Sequence, residues 1–290
     1  MSKILGVGIA ALDIINYVSH FPAEDEEMRA TAQFIRRGGN VSNSLSVLSQ
    51  LDHECFWSGT VGDDTDADLI LTDFNSFHIN TTYRHTIRHS KTPVSYIILN
   101  QRNGSRTIVH YRDLPELTFQ HFSTLDFTAF DWIHFEARSI CETKKMISFI
   151  KEYFPNILVS VEIEKQREYL EDIYDLANVY IFSKDFVLKK GYDDAETFLM
   201  NTQPTSPHAD LICTWGKDGA YALPCNETII QTKAVNIDNV IDTIGAGDTF
   251  NAGIIHARLN SFDWQKSLNY ACEIAAKKCQ QEGFSNLTKN

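Results

Sequence analysis

The sequence predicts an α/β protein, a three-layer α/β/α domain whose central sheet is mostly parallel, with a second, small β-sheet beside it. Short apolar runs, each typical of a buried strand, alternate along the chain with segments whose apolar residues recur at helical spacing. No repeat, low-complexity run or Pro/Gly-rich linker interrupts this alternation, so we expect one domain over residues 1–290. In such sheets, ligand sites lie beyond the carboxyl ends of the strands.

The predicted elements follow one another in a regular order. The first strand, at residues 4–9, precedes a helix in which Val41, Leu45 and Leu48 form an apolar stripe behind Gly38-Gly39. Further strands are predicted at residues 55–61, 132–135, 157–161, 179–182 and 211–214. Further helices are predicted near residues 67–77, 142–154, 167–177, 194–201, 246–259 and 262–280.

Two stretches depart from this alternation. Residues 14–36 are extended and polar where a helix would be expected, and residues 92–112 contain two β-rich runs that flank Asn103-Gly104. Asn-Gly between such runs is a strong signal for a β-hairpin. Together the two stretches predict the small sheet, which would serve as a lid over a ligand, as a dimer surface, or as both.

The composition excludes several classes of function. There are 26 Lys and Arg residues against 38 Asp and Glu residues, a net charge of −12, so we expect no nucleic-acid partner and no membrane partner. No run approaches the ~20 apolar residues of a membrane span, and the start of the chain lacks the pattern of a secretory signal. We therefore expect a soluble, cytoplasmic protein.

The six cysteines are widely spaced, without a C-x-x-C pair or a Cys/His cluster at zinc-binding spacing. In a cytoplasmic chain of this length, we expect them to be free, buried thiols.

The clearest chemical pattern precedes the helix predicted near residues 246–259. Gly245, Ala246 and Gly247 are small enough for their backbone N–H groups to approach an anion, and the dipole of the following helix favours negative charge. Asp248 would repel a phosphate there, unless its task is to accept a proton from a nucleophile that attacks the phosphate. The pattern indicates an anion hole with Asp248 as general base. The alternative is a Gly-rich turn whose Asp caps the helix.

A second pattern lies at the start of the first predicted helix. Asn40 and Asn43 are three residues apart and project from one face, next to the bare backbone of Gly39. Paired carboxamides suit a polyhydroxylated ligand, because each amide can donate and accept hydrogen bonds. Asp13, shortly after the first strand, would bind a hydroxyl of the same ligand. Helix capping by the asparagines and a turn-forming role for Asp13 are the structural alternatives.

Three further patterns each allow two interpretations. Gly6–Ala11 fits the G-x-G-x-x-A dinucleotide fingerprint, but Asp13, the β-rich run after it and Pro22 interrupt the helix that this fingerprint requires. An oxidoreductase is therefore only an alternative. The turn Gly216-Lys217-Asp218-Gly219 would cradle a nucleotide or simply join two strands. Arg106, on the predicted hairpin, would clamp a phosphate or lie in solvent.

Taken together and in this order, the motifs resemble those of the PfkB-type, or ribokinase-like, sugar kinase family over nearly the whole chain. The two signature regions are Gly38-Gly39-Asn40-x-x-Asn43 and Asp242-Thr243-x-Gly245-Ala246-Gly247-Asp248-x-Phe250, about 200 residues apart. Within the family, the segments similar to the ketohexokinase subfamily include Val159-Ser160-Val161-Glu162, Phe182-Ser183-Lys184-Asp185 and Lys277-Lys278-Cys279.

This resemblance implies ATP-dependent phosphorylation of a sugar hydroxyl, with fructose converted to fructose 1-phosphate as the leading expectation. It implies sugar binding by Asp13, Gly39, Asn40, Asn43 and Asp248, catalysis by Asp248 with Gly245, Ala246 and Gly247, and nucleotide binding by Arg106, Gly216, Lys217, Asp218, Gly219 and Gly245–Gly247. It also implies Mg²⁺ and K⁺ as cofactors and a homodimer formed through the small sheet. Ser183-Lys184-Asp185 replaces the family's usual Asn-x-x-Glu, which leaves the metal ligands unassigned.

Two other functions stay open on the sequence. One is a kinase of the same family for ribose, a nucleoside or a sugar phosphate, the last of which would need basic residues such as Arg36, Arg37 and Arg112 near the small sheet. The other is a non-catalytic sensor of a sugar or nucleotide. The intact Gly-Ala-Gly-Asp segment argues against a sensor, because a sensor needs no base.

Overall fold

The computed structural model describes residues 1–288. The strands are β1 (Lys3–Val7), β2 (Ala11–Val18), β3 (Ala32–Gly38), β4 (Glu54–Ser58), β5 (Thr60–Val61), β6 (His85–Thr86), β7 (Val94–Asn100), β8 (Arg106–Tyr111), β9 (Trp132–Glu136), β10 (Leu158–Ile163), β11 (Val179–Phe182), β12 (Asp210–Thr214), β13 (Ala220–Leu223) and β14 (Ile230–Thr232). The α-helices are α1 (Asn40–Gln50), α2 (Thr65–Ser76), α3 (Phe119–Phe122), α4 (Ile140–Tyr153), α5 (Lys184–Lys189), α6 (Ala195–Thr202), α7 (Ala246–Leu259) and α8 (Trp264–Cys279).

The central sheet has the strand order β14-β13-β12-β11-β10-β9-β1-β4. The six strands from β12 to β4 are parallel, and β13 and β14 extend the sheet in antiparallel pairing. These six strands are short apolar runs that are buried on both faces, as expected for parallel strands covered by helices. The prediction of a mostly parallel central sheet is confirmed.

Each face of the central sheet packs against its own layer of helices. One apolar core joins the sheet to α4, α5 and α6 through residues such as Ile147, Val187 and Leu199. The other core joins it to α1, α2, α7 and α8, where Leu45 and Ile254 are fully enclosed. The three-layer architecture of the prediction is therefore present, and it directs the carboxyl ends of the parallel strands to one edge.

The carboxyl ends of β9, β10, β11 and β12 each contribute a side chain to the same cleft. Glu136 is the last residue of β9 and lies opposite Glu162 of β10, while Phe182 and Thr214 are the last residues of β11 and β12. All four line a cleft of about 610 Å³. The sheet register thus brings two carboxyl groups, 26 positions apart in sequence, side by side at the edge where a site is expected.

The small sheet has the strand order β3-β2-β7-β8, and β7 and β8 form the hairpin predicted around Asn103-Gly104. Its strand pairing places alternate residues on opposite faces. The inner face carries Asp13, Ser95 and Arg106 and lines the cleft. The outer face carries exposed apolar side chains, described below.

The glycines of the dinucleotide-like segment serve packing. A Cβ atom on Gly6 would lie 2.5 Å from Cγ1 of Val41, so a glycine there allows α1 to lie directly on β1. Strand β2 begins at Ala11, where a dinucleotide fingerprint would require a helix. The structure therefore removes the basis for an oxidoreductase.

Three predictions of local structure need correction. Residues 167–177 contain only a short 3₁₀ helix, Leu170–Ile173, because the N–H groups of Leu176 and Ala177 donate to the hydroxyl of Tyr180 instead of continuing a helix. The strand predicted at 55–61 is interrupted at Gly59, which separates β4 from β5. Cys141 is exposed, so the six free thiols are not all buried.

Within residues 1–288, none of the helices combines the length and the apolar character needed to cross a lipid bilayer.

Candidate active site

The cleft lies between the carboxyl ends of the central strands, the inner face of the small sheet and the first turns of α1 and α7. Its lining brings together most of the residues that the sequence singled out, although they come from four separate parts of the chain. The predicted residues that line it are Asp13, Gly39, Asn40, Asn43, Arg106, Gly245, Gly247 and Asp248. The sequence prediction of one shared site at these positions is consistent with this arrangement.

The start of α7 has the geometry of an anion hole. Gly245 precedes the helix with a φ of +80°, and a Cβ atom there would lie 2.2 Å from Cζ of Phe284. No side chain caps this helix, and the backbone N–H groups of Gly247 and Asp248 have no acceptor among residues 1–288. Unpaired N–H groups at a helix N-terminus attract negative charge. The N–H of Ala246, by contrast, already donates to the carbonyl of Thr243 at 3.3 Å.

Asp248 lies on the first turn of α7 with a side chain that is almost fully enclosed. Its Oδ2 accepts a hydrogen bond from Nδ2 of Asn43 at 2.7 Å. Burial raises the pKa of Asp248 to about 7, and the charges of Glu164 and Glu136 act in the same direction, while the Asn43 hydrogen bond opposes them. A carboxyl group with a pKa near neutrality is suited to exchange a proton with a substrate.

Arg37 holds Asn43 in place, a role that the sequence analysis missed. The Arg37 side chain is buried and donates from Nη1 to Oδ1 of Asn43 at 3.4 Å, from Nε to Asp73 at 2.6 Å and from Nη2 to Ser46 at 2.5 Å. A buried guanidinium with three partners fixes the amide that binds Asp248. The pattern could not be found from the sequence, because Asp73 belongs to α2 and is distant along the chain.

Asn40 is held by two carboxyl groups at the end of β10. Its Nδ2 donates to Oε1 of Glu162 and to Oε2 of Glu164, each at 3.2 Å. Glu162 is 8% exposed, and its Oε2 atom is buried and has no hydrogen-bond partner within residues 1–288. Gly39, just before the helix, has a φ of +111°, and a Cβ atom there would lie 2.1 Å from the carbonyl oxygen of Ile9. Only glycine allows this close approach.

Asp13 enters the cleft from β2. A Cβ atom on Gly38 of the adjacent strand would lie 2.2 Å from Oδ2 of Asp13, so the glycine makes room for the carboxyl group. Burial raises the pKa of Asp13, and a hydrogen bond with Ser95 and the charges of Arg37 and Arg106 oppose that rise. Arg106 therefore acts electrostatically on the same part of the cleft as Asp13.

The remaining predicted nucleotide residues lie apart from this group. Gly216–Asp218 form a 3₁₀ turn between β12 and β13, followed by Gly219. None of these four residues lines the cleft within residues 1–288, although Thr214 just before them does. Nζ of Lys184, at the start of α5, is 3.5 Å from Oδ2 of Asp218. A role for this turn in nucleotide binding stays a prediction.

Asp242 joins three elements behind the anion hole. Its Oδ2 accepts from the buried ammonium of Lys278 at 3.0 Å and from Arg36 of the small sheet at 3.3 Å, and its carbonyl accepts from Lys278 at 3.1 Å. Its Oδ1 accepts from the N–H of Ile244 at 2.9 Å. A lysine ammonium thus contacts both the carbonyl oxygen and Oδ2 of Asp242, and K⁺ binding in this region stays a prediction.

The cleft offers oxygen ligands that suit magnesium. Magnesium in kinases is held chiefly by substrate phosphates with one or two carboxylates, and the carboxylate of Glu164 lies on the cleft wall. In residues 1–288, no group of three or more His, Cys, Asp or Glu side chains is arranged to hold an ion by itself. The donor chemistry fits a metal that arrives with a nucleotide.

The sequence matches, over residues 1–290, the family described as pfkB family carbohydrate kinase. Ketohexokinase from Mus musculus is 37% identical over 293 residues, which cover 98% of this chain and 98% of that protein. The structure of Arabidopsis thaliana ribokinase, complexed with ribose and ATP, superposes with a TM-score of 0.83 at 17% identity and covers 97% of this chain and 94% of that one. Thermotoga maritima ribokinase superposes with a TM-score of 0.81 at 18% identity and covers 98% and 94%.

Proposed function

The chain belongs to the pfkB family of carbohydrate kinases, and from that premise we propose that it phosphorylates a ketohexose, converting fructose to fructose 1-phosphate. ATP-dependent phosphorylation of a sugar follows from membership of the family itself. The ketohexose is proposed because of the 37% identity to ketohexokinase over 98% of both chains.

One observation carries the mechanistic proposal. The Asp248 carboxyl group lies beside the unpaired N–H groups at the start of α7, in the same cleft as Asn40 and Asp13. A base next to an anion hole and next to amide and carboxylate groups is the combination that phosphoryl transfer to an alcohol requires. A nucleotide or sugar sensor would have no use for the base.

In the proposed reaction, Asp248 removes the proton of the acceptor hydroxyl while the hydroxyl oxygen forms a bond to the γ-phosphorus of ATP. The bond between that phosphorus and the bridging oxygen breaks, and ADP leaves. The N–H groups of Gly247 and Asp248 stabilise the negative charge on the transferred group. Magnesium, when bound with the nucleotide, neutralises charge on the phosphates. Asn43, anchored by Arg37, keeps the carboxyl group oriented.

The same proposal assigns the other predicted residues. Asp13, Gly39, Asn40 and Asn43 would bind the sugar hydroxyls, with support from their common position in the cleft. Arg106 and Gly245–Gly247 would bind the nucleotide phosphates, and Gly216–Gly219 would approach the nucleotide through their backbone. Mg²⁺ and K⁺ are the proposed ions.

We also propose that two chains associate through the small sheet, and that this sheet, formed by residues 14–36 and 92–112, closes the cleft as a lid with its inner face. Ile35 of β3, Tyr96 of β7 and Val109 of β8 lie on the outer face of the small sheet and are at least half exposed, and Ile14 of β2 joins Ile35 to Tyr96 in the register. A contiguous exposed apolar row on a sheet is typical of an interface. A second copy of the chain would cover it.

An ADP-release assay over a panel of acceptors tests the proposed function. Fructose, ribose, nucleosides and fructose phosphates would each be offered with Mg-ATP, with and without potassium. We expect fructose to give a kcat/KM at least about tenfold above the others, a difference of about 1.4 kcal/mol in transition-state binding. Preference for ribose, a nucleoside or a sugar phosphate would contradict the ketohexose assignment, and no ADP release with any acceptor would contradict catalysis.

A further inference from the structure

The hydrogen bonds around Asn40 restrict what this amide can do for a substrate. An asparagine amide has two N–H donors on Nδ2 and an acceptor on Oδ1. Both donors of Asn40 face carboxyl oxygens, Oε1 of Glu162 and Oε2 of Glu164. An amide turned the other way would place its oxygen against two carboxyl groups. The two glutamates therefore leave only Oδ1 of Asn40 for a ligand in the cleft.

Glu162 is the buried member of this pair. The Glu162 side chain is 8% exposed, whereas Glu164 is exposed. Oε2 of Glu162 has no hydrogen-bond partner in residues 1–288. A buried carboxyl group with an unpaired oxygen is costly for folding, so its retention beside a functional amide requires an explanation.

We propose that Glu162 is a positioning residue that fixes Asn40 as a hydrogen-bond acceptor, so that the site selects a sugar hydroxyl that donates. This inference rests on the proposed function, because it concerns how the same acceptor sugar is bound. Asp13 and Asp248 also present carboxyl oxygens to the cleft. Ligand groups that only accept hydrogen bonds, such as phosphate oxygens, find no free donor on the Asn40 amide, so this point of the cleft favours a hydroxyl group.

Fluorinated sugars test the direction of the hydrogen bond in the unmodified protein. A monodeoxyfructose lacks one hydroxyl, whereas the deoxyfluoro analogue carries at the same carbon an atom that accepts weakly and cannot donate. We expect one ring position at which both analogues lower kcat/KM by a similar factor, at least about tenfold. Recovery of activity by fluorine at every position where the deoxy analogue is poor would overturn the inference.

Variants of Glu162 identify the residue responsible. Glu162→Gln keeps an oxygen that accepts from Asn40, so we expect sugar KM within about threefold of wild type and the same analogue pattern. Glu162→Leu frees one amide hydrogen of Asn40. We expect it to raise sugar KM about tenfold, to leave ATP KM unchanged and to allow fluorine to recover part of the lost activity. Glu168→Leu, an exposed glutamate further along the chain, is the matched control.

Two outcomes would overturn the role of Glu162. One is that Glu162→Leu lowers kcat/KM equally for fructose and all its analogues, which would indicate a merely structural role. The other is a higher magnesium requirement with unchanged sugar KM, which would indicate a metal ligand. If Glu162→Leu does not fold, Glu162→Gln decides, because an analogue pattern that differs from wild type in this variant would overturn the role of Glu162. The series uses whichever neutral sugar the protein phosphorylates, so failure with fructose alone contradicts only the proposed function.

Discussion

Asp248 concentrates the chemistry of the proposed reaction in one side chain, and its environment sets the pH at which it can act. Burial and neighbouring carboxylates raise its pKa to about 7. A general base must be ionised to accept a proton, so the active fraction falls as the pH drops below this value.

We predict that kcat/KM for fructose follows the ionisation of Asp248 in the protein without sugar. Between about pH 5.5 and 7 it should rise with a slope approaching tenfold per pH unit at the acid end, and it should level off by about pH 8. The measurement is kcat/KM for fructose across this range, with the coupling enzymes in excess at each pH. A flat profile down to about pH 5.5 would contradict a base with a raised pKa.

The charge of Arg37 offers a second test at the residue scale. This positive charge lowers the pKa of Asp248, and the Arg37 side chain also donates a hydrogen bond to Asn43. We predict that Arg37→Met moves the midpoint of the pH profile of kcat/KM to higher pH, by up to about one unit, and lowers kcat/KM at neutral pH several-fold. Arg37→Lys keeps the positive charge but lacks the planar set of guanidinium N–H donors. The midpoint of its pH profile should therefore stay closer to that of wild type.

An unchanged midpoint in Arg37→Met, with only a loss of folded protein, would show that Arg37 is structural and does not act on the base. Arg88→Met, an exposed arginine outside the cleft lining, serves as the control for the loss of a positive charge.

At the scale of elements, the loop before α7 is held from behind by α8 and by the small sheet. Lys278 of α8 is fully buried against Asp242, and Arg36 of β3 binds the same carboxylate. Removing one partner of a buried ion pair is strongly destabilising, because the other charge stays buried. The position of the anion hole should therefore depend on Lys278.

We predict that Lys278→Met destabilises the protein by about 3–5 kcal/mol and raises the KM for ATP more than the KM for fructose. Lys277→Met, the exposed neighbour on the same helix, should change neither. Denaturant unfolding and steady-state kinetics measure the two effects. Equal increases in both KM values would contradict a specific link between Lys278 and the anion hole. The expected potassium dependence is tested by repeating the same kinetic measurements with and without potassium.

The elements that the sequence predicted well are those whose signal is local. The buried strands at 179–182 and 211–214, the hairpin at Asn103-Gly104 and the helix at 246–259 each depend on an apolar run, a turn pair or a periodic stripe. The helix predicted at 167–177 failed because a hydroxyl from a neighbouring strand, that of Tyr180, takes up the backbone donors. Such a competing partner is invisible in a helical pattern.

The residues of the candidate site, like the secondary-structure elements, were predictable only where the signal is local in the sequence. Asp13, Asn40, Asn43 and Asp248, which line the cleft, were singled out because each lies in or next to a glycine-rich segment or shortly after the first strand, and their roles stay predictions. The supporting groups were not found, because their roles depend on tertiary contacts. Lysine is seldom fully buried, and nothing in the sequence around Lys278 indicates that its ammonium reaches Asp242.

At the scale of the whole molecule, the outer face of the small sheet is the surface that the fold leaves uncovered. Val109 is 64% exposed in the row that also contains Ile35 and Tyr96. We predict that the wild-type protein has twice the mass of one chain in solution, and that Val109→Glu lowers its mass towards that of a monomer by placing charge in the interface. Light scattering after gel filtration measures both masses.

Tyr153→Glu changes an equally exposed aromatic residue on α4, in a different layer, and should leave the mass unchanged. A wild-type protein that is monomeric at micromolar concentration, or a Val109→Glu protein that keeps the wild-type mass, would argue against dimerisation through this face.

The central claim is that Asp248 is the base that activates the acceptor hydroxyl, and its most direct test is the kinetics of Asp248→Asn with fructose and Mg-ATP. Asparagine keeps the shape of the side chain and removes its basicity. The account predicts that kcat falls by about 10²–10⁴-fold, while fructose and ATP each bind with a Kd within about threefold of wild type by calorimetry. Turnover within about tenfold of wild type, with both ligands bound, would contradict the claim.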